Sequence, residues 1–340
     1  MIEPKLLAIL KSPDDNTKLE YIKNEEKLIS KTGIKYDVVN GIPILLPLGE
    51  DTMENTKYSR EAANIFKNDP YILNSLGLTD NEINDLRNVI KNNKNKIDPV
   101  AAFMIGATNG NAYKSLQGNI DNYSIPKFPL INGNNKLLLD IGSNWGRWLV
   151  SSSREGYFPV GLDPQIGALL AAKRICNQLG ITAFFVCGDA RKMPFNDNSF
   201  DNVFSYSVIQ HLSYDDANKV SKEIKNILKS KGSSYIQMPT KIGLKGFIHR
   251  LKNKFRNPVK FEVRYWSLNK LRNYFGSNIG KTTFETDCFF GIGLQFSDIK
   301  MVKIIYKPFF IVSEFLRKIS RFFYPITCFA DSVYVKSVKN

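Results

Sequence analysis

The chain has 340 residues, 43% of them hydrophobic, and a formal net charge of +15. That length suits one large domain with additions or two domains, the apolar content excludes wholesale disorder, and the positive balance calls for an anionic partner. Four cysteines, Cys176, Cys187, Cys288 and Cys328, include no C-x-x-C pair, and the two histidines, His211 and His249, lie far apart in sequence. No metal site or disulfide framework is therefore expected, and this cysteine usage suits a reducing cytoplasm. Met1 to Ser12 carries no signal-peptide pattern, and no apolar run reaches the ~18 residues of a membrane-spanning helix.

Residues 1–48 read as a small β module. Leu6, Leu7, Ile9 and Leu10 suggest a helical turn or two, and strand-like runs follow near 18–22, 27–29 and 36–39. Asn40-Gly41 is a hairpin turn signal, and Ile42-Pro43-Ile44-Leu45-Leu46-Pro47 closes the unit. The Asn-Gly-Ile-Pro ending resembles that of the zinc-ribbon-like module found ahead of some methyltransferases. Ser12, Asp15, Ile29 and Thr32 stand at or near the places of its cysteines, so the metal is not carried over. Residues 49–125 read as a helical connector, polar over 49–100, with a helical stretch at 81–91. Its last part, 101–125, holds Ala101-Ala102-Phe103-Met104, a glycine-containing run from Gly106 to Gly110, and Tyr113.

A third region, 126–340, opens on the stretch that organises the chain. The apolar run Lys136–Leu139 reads as a buried parallel strand, Asp140 ends it, and Gly142-Ser143-Asn144-Trp145-Gly146 leads into a helix. Strand, glycine turn and helix in this order build a nucleotide-type site at the carboxyl end of a central strand. The dinucleotide fingerprint G-x-G-x-x-G does not fit, and the phosphate-loop pattern is absent. An acid ahead of the glycines repels a pyrophosphate but suits a ligand carrying an amino group and a sulfonium. Asp140-x-Gly142-x-Asn144-x-Gly146 resembles the first motif of class I S-adenosylmethionine-dependent methyltransferases of the type 11 kind, with Asn144 where the middle glycine is usual. The resemblance implies an α/β, Rossmann-like doubly wound sheet, S-adenosyl-L-methionine as cofactor, and Asp140, Gly142, Asn144 and Gly146 around it. In that family the segment before the first strand often folds over the cofactor, which makes Tyr113 a candidate cover residue; the alternative is a helix packed on the sheet.

The α/β pattern continues. A second strand, 157–163, ends in Asp163, 23 residues past Asp140 and close to the spacing at which an acid binds ribose hydroxyls. A helix over 166–179 leads to a third strand, 183–186, and to Gly188-Asp189-Ala190. In the resembled family an acid here takes the adenine amino group and the next backbone N–H meets the ring, which assigns Asp189 and Ala190. A fourth strand, 202–206, brings its end, with Ser205, to the cofactor. Gln210-His211 follows, and His211 is the candidate proton acceptor should the methyl acceptor be a hydroxyl. A helix over 215–229 is expected to stop at Lys231-Gly232, before a fifth strand at 234–238.

From 241 to 325 the chain turns basic and aromatic: seventeen Lys and Arg face five acids, twelve of the fifteen net positive charges. Phe247, Ile248, Leu251 and Phe255 form one apolar stripe, and Val312, Phe315, Leu316, Ile319, Phe322 and Phe323 a second, each flanked by basic residues. A helix over 265–275, a strand near 282–290 and a last antiparallel strand at 331–336 complete the pattern. Residues 240–330 thus read as substrate-side additions, with Glu262, Arg264, Tyr265 and Asp287 as acceptor-side candidates beside Tyr113 and His211. The leading expectation is a methyltransferase acting on a small or lipid- or glycan-linked acceptor; the two stripes either pack on the core, as single amphipathic helices usually do, or make peripheral contact with an anionic membrane from the cytoplasmic side. An RNA methyltransferase is the competing enzyme, disfavoured because no RNA module or stacking motif is present; a non-catalytic cofactor-binding scaffold is the third reading.

Overall fold

The computed structural model describes residues 1–49, 56–92, 96–108, 120–291, 299 and 303–340. The chain divides into two compact units, Met1–Ser199 and Phe200–Asn340.

The first unit begins with a single helical turn, α1 (Pro4–Leu7), and four short strands, β1 (Leu19–Ile22), β2 (Lys27–Ser30), β3 (Lys35–Val39) and β4 (Ile42–Leu45). Neighbours in this series pair antiparallel. The β3–β4 turn is Asn40-Gly41, with φ of 50° and 72°; both residues sit left-handed, as a two-residue hairpin turn requires. Ser12, Asp15 and Thr32 do converge, joined by Ser30 rather than by the adjacent Ile29. Asp15 accepts from the Ser30 and Thr32 hydroxyls and from the Thr17 N–H, and Ser12 Oγ bonds the Tyr36 hydroxyl at 2.8 Å. The Thr32 hydroxyl contributes most to holding the Asp15 carboxyl well below the usual carboxylate range. Among the described residues no group of three or more His, Cys, Asp or Glu converges as a metal site.

The connector carries α2 (Thr56–Arg60), α3 (Ala62–Ile65), a 3₁₀ turn at Leu73–Leu76, α4 (Asp80–Asn92) and α5 (Pro99–Thr108). It is not the solvated spacer that its polarity suggests: Ser59, Ala62, Ile72, Leu73, Ser75 and Leu76 are buried. Then come β5 (Leu137–Ile141), α6 (Arg147–Arg154), β6 (Phe158–Asp163), α7 (Ile166–Gln178) and β7 (Phe184–Gly188). These strands run parallel in the order β7-β6-β5, each step crossing over through a helix, and are almost wholly buried, which is why they read as continuous apolar runs. Strand β4 joins β7 in parallel, Ile44 opposite Cys187, so the small N-terminal strands extend the same sheet.

The second unit holds β8 (Phe200–Ser205), α8 (Tyr214–Ile227), β9 (Leu228–Pro239), α9 (Leu244–Lys252), α10 (Leu268–Asn278), β10 (Gly280–Cys288), α11 (Lys307–Ile319) and β11 (Ser332–Lys339). Its strand order is β8-β9-β11-β10; β8 and β9 are parallel, and β11 runs antiparallel to both its neighbours. Ser213 caps α8 by accepting from the Asp216 N–H, and Ser267 caps α10 in the same way from Lys270. Helix α8 does not run to Lys231-Gly232. Leu228 is already extended and pairs with Phe200, and Lys231, at φ 62°, lies in an irregularity inside β9. A Cβ on Gly232 would meet Lys229 O at 2.8 Å, so the glycine serves the strand and not a helix end. No helix among the described residues is long and apolar enough to cross a membrane.

Candidate functional site

In the first unit three parallel strands deliver three acids to one edge. Asp140 lies near the end of β5, Asp163 ends β6, and Asp189 follows β7. Between β5 and α6 the chain turns through three left-handed residues, Gly142 at φ 73°, Asn144 at 46° and Gly146 at 88°. Asparagine is the residue other than glycine that best tolerates this region, which explains how Asn144 replaces the expected glycine. Its side chain also works locally, accepting from the Trp145 N–H at 2.7 Å, while its own N–H donates to Asp163 Oδ2 at 2.9 Å. Asp163 Oδ1 accepts from the Gln165 N–H at 2.9 Å. The Asp163 carboxylate is thus aimed by two backbone donors and keeps further lone pairs for a ligand. Burial pushes its carboxyl up to about 6 against the pull of those two bonds.

Asp140 differs from both other acids. It is 1% exposed, and neither carboxylate oxygen has a hydrogen-bond partner among the described residues. Burial, and after it the charge of Asp163, holds its carboxyl well above the usual range. A buried carboxylate without a partner is costly unless a cation answers it, so this is a place built for a positively charged group. Asp189 is already occupied: Arg191 Nε reaches both its oxygens, at 3.2 and 3.0 Å, and Arg191 Nη2 reaches Oδ2 at 2.8 Å. An amino group arriving at Asp189 shares the carboxylate with this ion pair. Ala190 follows it, half-buried.

Several contributors to this edge escape sequence reading. Gly161, inside β6, lets the glycine turn close onto the strand; a Cβ there would meet Ser143 Oγ at 2.7 Å and Leu149 Cδ1 at 2.9 Å. A glycine within an apolar strand is a recognised sign of close approach, and here it was the available signal. The connector supplies Ser59 and Ser75, whose hydroxyls accept from the Ile166 and Gly167 N–H groups at the start of α7, just past Asp163. Tyr123 stacks on Trp145 of the turn at 6.1 Å between centroids, and its hydroxyl donates to Gln178 at 2.6 Å. Tyr113 lies outside the described residues.

In the second unit Ser205 ends β8 fully buried. His211 closes a 3₁₀ turn, Ile209–His211, and is half-buried. Its Nδ1 lies 2.7 Å from the Phe261 carbonyl, so that nitrogen carries the proton and donates, leaving the Nε2 lone pair toward the Gln210 amide at 3.2 Å. Burial lowers its pKa and keeps the ring neutral. Arg264 fastens the same turn: its Nη1 donates to the His211 and Glu262 carbonyls, and its backbone N–H to the Gln210 carbonyl. Glu262 is tied by Arg256, and Tyr265 lies against the His249 ring. Asp287 stands apart from this group, buried, accepting from Ser332 at 2.6 Å and from Tyr206 at 3.3 Å; burial raises its pKa. A cleft beside the His211 turn is lined by Lys241, Arg250, Arg256, Arg264, Tyr214 and Tyr265, with Glu262 as its one acid.

Residues 138–232 match the family model described as a methyltransferase domain. That stretch contains the glycine turn, all three acids of the first unit, Ser205 and His211. Over these residues the chain is similar to a methyltransferase domain. The domain is also similar to the biotin biosynthesis bifunctional protein BioHC of Cellvibrio japonicus (strain Ueda107), 35% identical over 99 residues, 29% of this chain. The chain spans only 19% of the length of that relative. Among solved structures, the PH0226 protein of Pyrococcus horikoshii OT3 is 27% identical over 35% of this chain and 51% of its own, with a TM-score of 0.31. Phosphoethanolamine N-methyltransferase 2 of Haemonchus contortus, solved with S-adenosyl-L-methionine, is 20% identical over 62% of this chain and 50% of its own, with a TM-score of 0.40. The matched domain begins at residue 138, so the match lends no support to a zinc-ribbon-like module at 1–48.

Proposed function

We propose that the chain is an S-adenosyl-L-methionine-dependent methyltransferase whose acceptor is a small or lipid- or glycan-linked molecule. The observation that carries this reading is Asp140, a buried carboxylate with no hydrogen-bond partner among the described residues, beside a left-handed glycine turn in the stretch that matches a methyltransferase domain. When bound, the cofactor supplies a methyl group already activated on a sulfonium. The chain's own residues then have three tasks: to hold the cofactor, to orient the acceptor and to exclude water. Asp140 answers the positive charge of the cofactor's amino-acid end. Asp163, preset by the Asn144 and Gln165 N–H groups, accepts the ribose hydroxyls. Asp189 and Ala190 meet the adenine.

For a hydroxyl acceptor, His211 takes the proton at Nε2, with Nδ1–H anchored on the Phe261 carbonyl. The finer reading of the acceptor rests on the cleft, where four cations face one acid and the buried Arg250 Nε has no hydrogen-bond partner among the described residues. Such a lining favours an acceptor that carries phosphate or carboxylate.

Calorimetry with S-adenosyl-L-methionine in buffers of different ionisation heat tests the reading. A cation placed at Asp140 drives off the proton that burial retains, so binding should release protons and tighten as pH rises. No binding, or binding without proton release, overturns the Asp140 assignment. Turnover on lipid and glycan extracts then separates an enzyme from a scaffold.

A further inference from the structure

The two apolar stripes of the second unit are where a soluble core would normally use them, yet they are not buried. Helix α9 buries only Gly246, and α11 buries only Phe310 and Ser313. Leu244, Phe247, Ile248 and Leu251 of α9 are exposed, as is Phe255 just beyond it, whose ring meets Phe247 edge-on. Around α11 the exposure is larger: Ile304 is 80% exposed, Phe315 61% and Phe322 93%, and Phe309, Ile311 and Phe323 are exposed too. Scattered apolar residues on a surface need no explanation, but a dense run of Phe and Ile on two elements does.

The two elements belong together. Asp331 Oδ1 accepts from the Lys245 N–H at the start of α9, and its Oδ2 accepts from the Gly291 N–H at 2.9 Å. Two residues before Gly291, the Phe289 N–H donates to Ser313 of α11 at 2.9 Å, and Phe290 packs edge-on against Phe309. One carboxylate and one short segment therefore fix both stripes on one part of the unit. Interleaved with them, Lys252, Lys254, Lys303, Lys318 and Arg321 are exposed and have no ion-pair partner among the described residues. The region 241–325 carries twelve of the fifteen net charges.

We propose that this surface docks on an anionic lipid bilayer, with the Phe and Ile side chains in the headgroup–acyl boundary and the lysines at lipid phosphates. Charge complementarity selects this occupant. A second copy of the same surface would bring like charges together, whereas an anionic bilayer accepts both the apolar area and the cations. The helices are too short to span, so they lie in the plane of the interface. Docking does not depend on the cofactor or on methyl transfer, and so it stands or falls separately from the proposed activity.

The test is co-sedimentation of the full chain with vesicles of phosphatidylglycerol and phosphatidylcholine, against vesicles of phosphatidylcholine alone. Binding should appear on the anionic vesicles, weaken at least tenfold on the neutral ones, and fall as salt is raised. Phe322→Ser with Phe315→Ser should cut binding at least tenfold. Both side chains are solvent-exposed, so the circular dichroism spectrum and melting temperature should not change. Lys252→Gln, Lys254→Gln, Lys318→Gln and Arg321→Gln together should abolish the preference for anionic vesicles. Absence of binding at low salt overturns the proposal. So does light scattering that shows a dimer in solution which Phe315→Ser and Phe322→Ser dissociate, since the surface then serves a second copy.

Discussion

Asp163 illustrates how one side chain is prepared for a ligand before the ligand arrives. Its two oxygens are fixed by the Asn144 and Gln165 N–H groups, so its remaining lone pairs have a set direction. Asp163→Ala should weaken S-adenosyl-L-methionine binding roughly 30-fold, about 2 kcal/mol, the worth of hydrogen bonds to a charged acceptor. Calorimetry checks this, and unchanged affinity removes Asp163 from the cofactor. His211 presents a different case, because both ring nitrogens already have neighbours. If Nε2 takes the acceptor proton, His211→Gln should lower kcat about 100-fold or more while cofactor affinity stays unchanged. The pH–rate profile of the wild type should show a rising limb from the ring's depressed pKa, and the variant should lose it. A variant with full turnover leaves His211 as a prop that holds the turn on the Phe261 carbonyl.

Among elements, the strand–turn–helix unit of β5, the glycine turn and α6 depends on a neighbour that carries no chemistry. Gly161 of β6 admits Ser143 and Leu149 to within the space of a methyl group. Gly161→Ala should displace the turn and cost about 1–3 kcal/mol, as overpacking does. The loss should show in the melting temperature and, because Asn144 and Asp140 move with the turn, in cofactor affinity as well. A variant that melts normally and binds normally shows the contact to be slack. Helix α7 depends in a similar way on the connector. Its first N–H groups have no intrahelical acceptors, and Ser59 and Ser75 provide them from about a hundred residues earlier in the chain.

For the whole molecule, the acids of the first unit set a pH response of definite sign. Asp163, at about 6, and Asp140, raised well above its ordinary value, hold protons more tightly in the folded chain than in the unfolded one. Their contribution to stability is fully present below the ordinary value of 3.8 and is lost as pH rises through about 6 and beyond. Asp15 acts in the opposite sense: its carboxyl is depressed, so its contribution is present above the ordinary range and lost as pH falls below it. Denaturant titrations of the cofactor-free protein should therefore show stability declining from the ordinary value of 3.8 up to about 6 as Asp163 is deprotonated in the unfolded chain first, with Asp140 adding in the same direction. Asp140→Asn with Asp163→Asn should flatten that decline, and saturating cofactor should flatten it in the wild type. An unaltered slope in the double variant means that other groups set the response.

The sequence by itself determined the α/β alternation, the strands β5 to β8 to within a few residues, the second half of β9, and the acid-first glycine motif. These are local: apolar runs bounded by turns, and a turn whose left-handed residues must be Gly or Asn, are written where they occur. It also determined the two amphipathic stripes, since helical spacing is a local property. What it left open was decided by contacts between segments far apart in the chain. Periodicity says which residues share a face but not what that face meets, so only the tertiary structure shows both stripes open to solvent. In the same way, only the fold leaves Asp140 in a buried place with no hydrogen-bond partner among the described residues. Only the fold carries the polar connector onto the start of α7, replaces Ile29 with Ser30 in the Asp15 cluster, and makes Lys231-Gly232 part of a strand. In each case a hydrogen bond or a buried charge found its partner, or lacked one, through packing rather than through proximity along the chain.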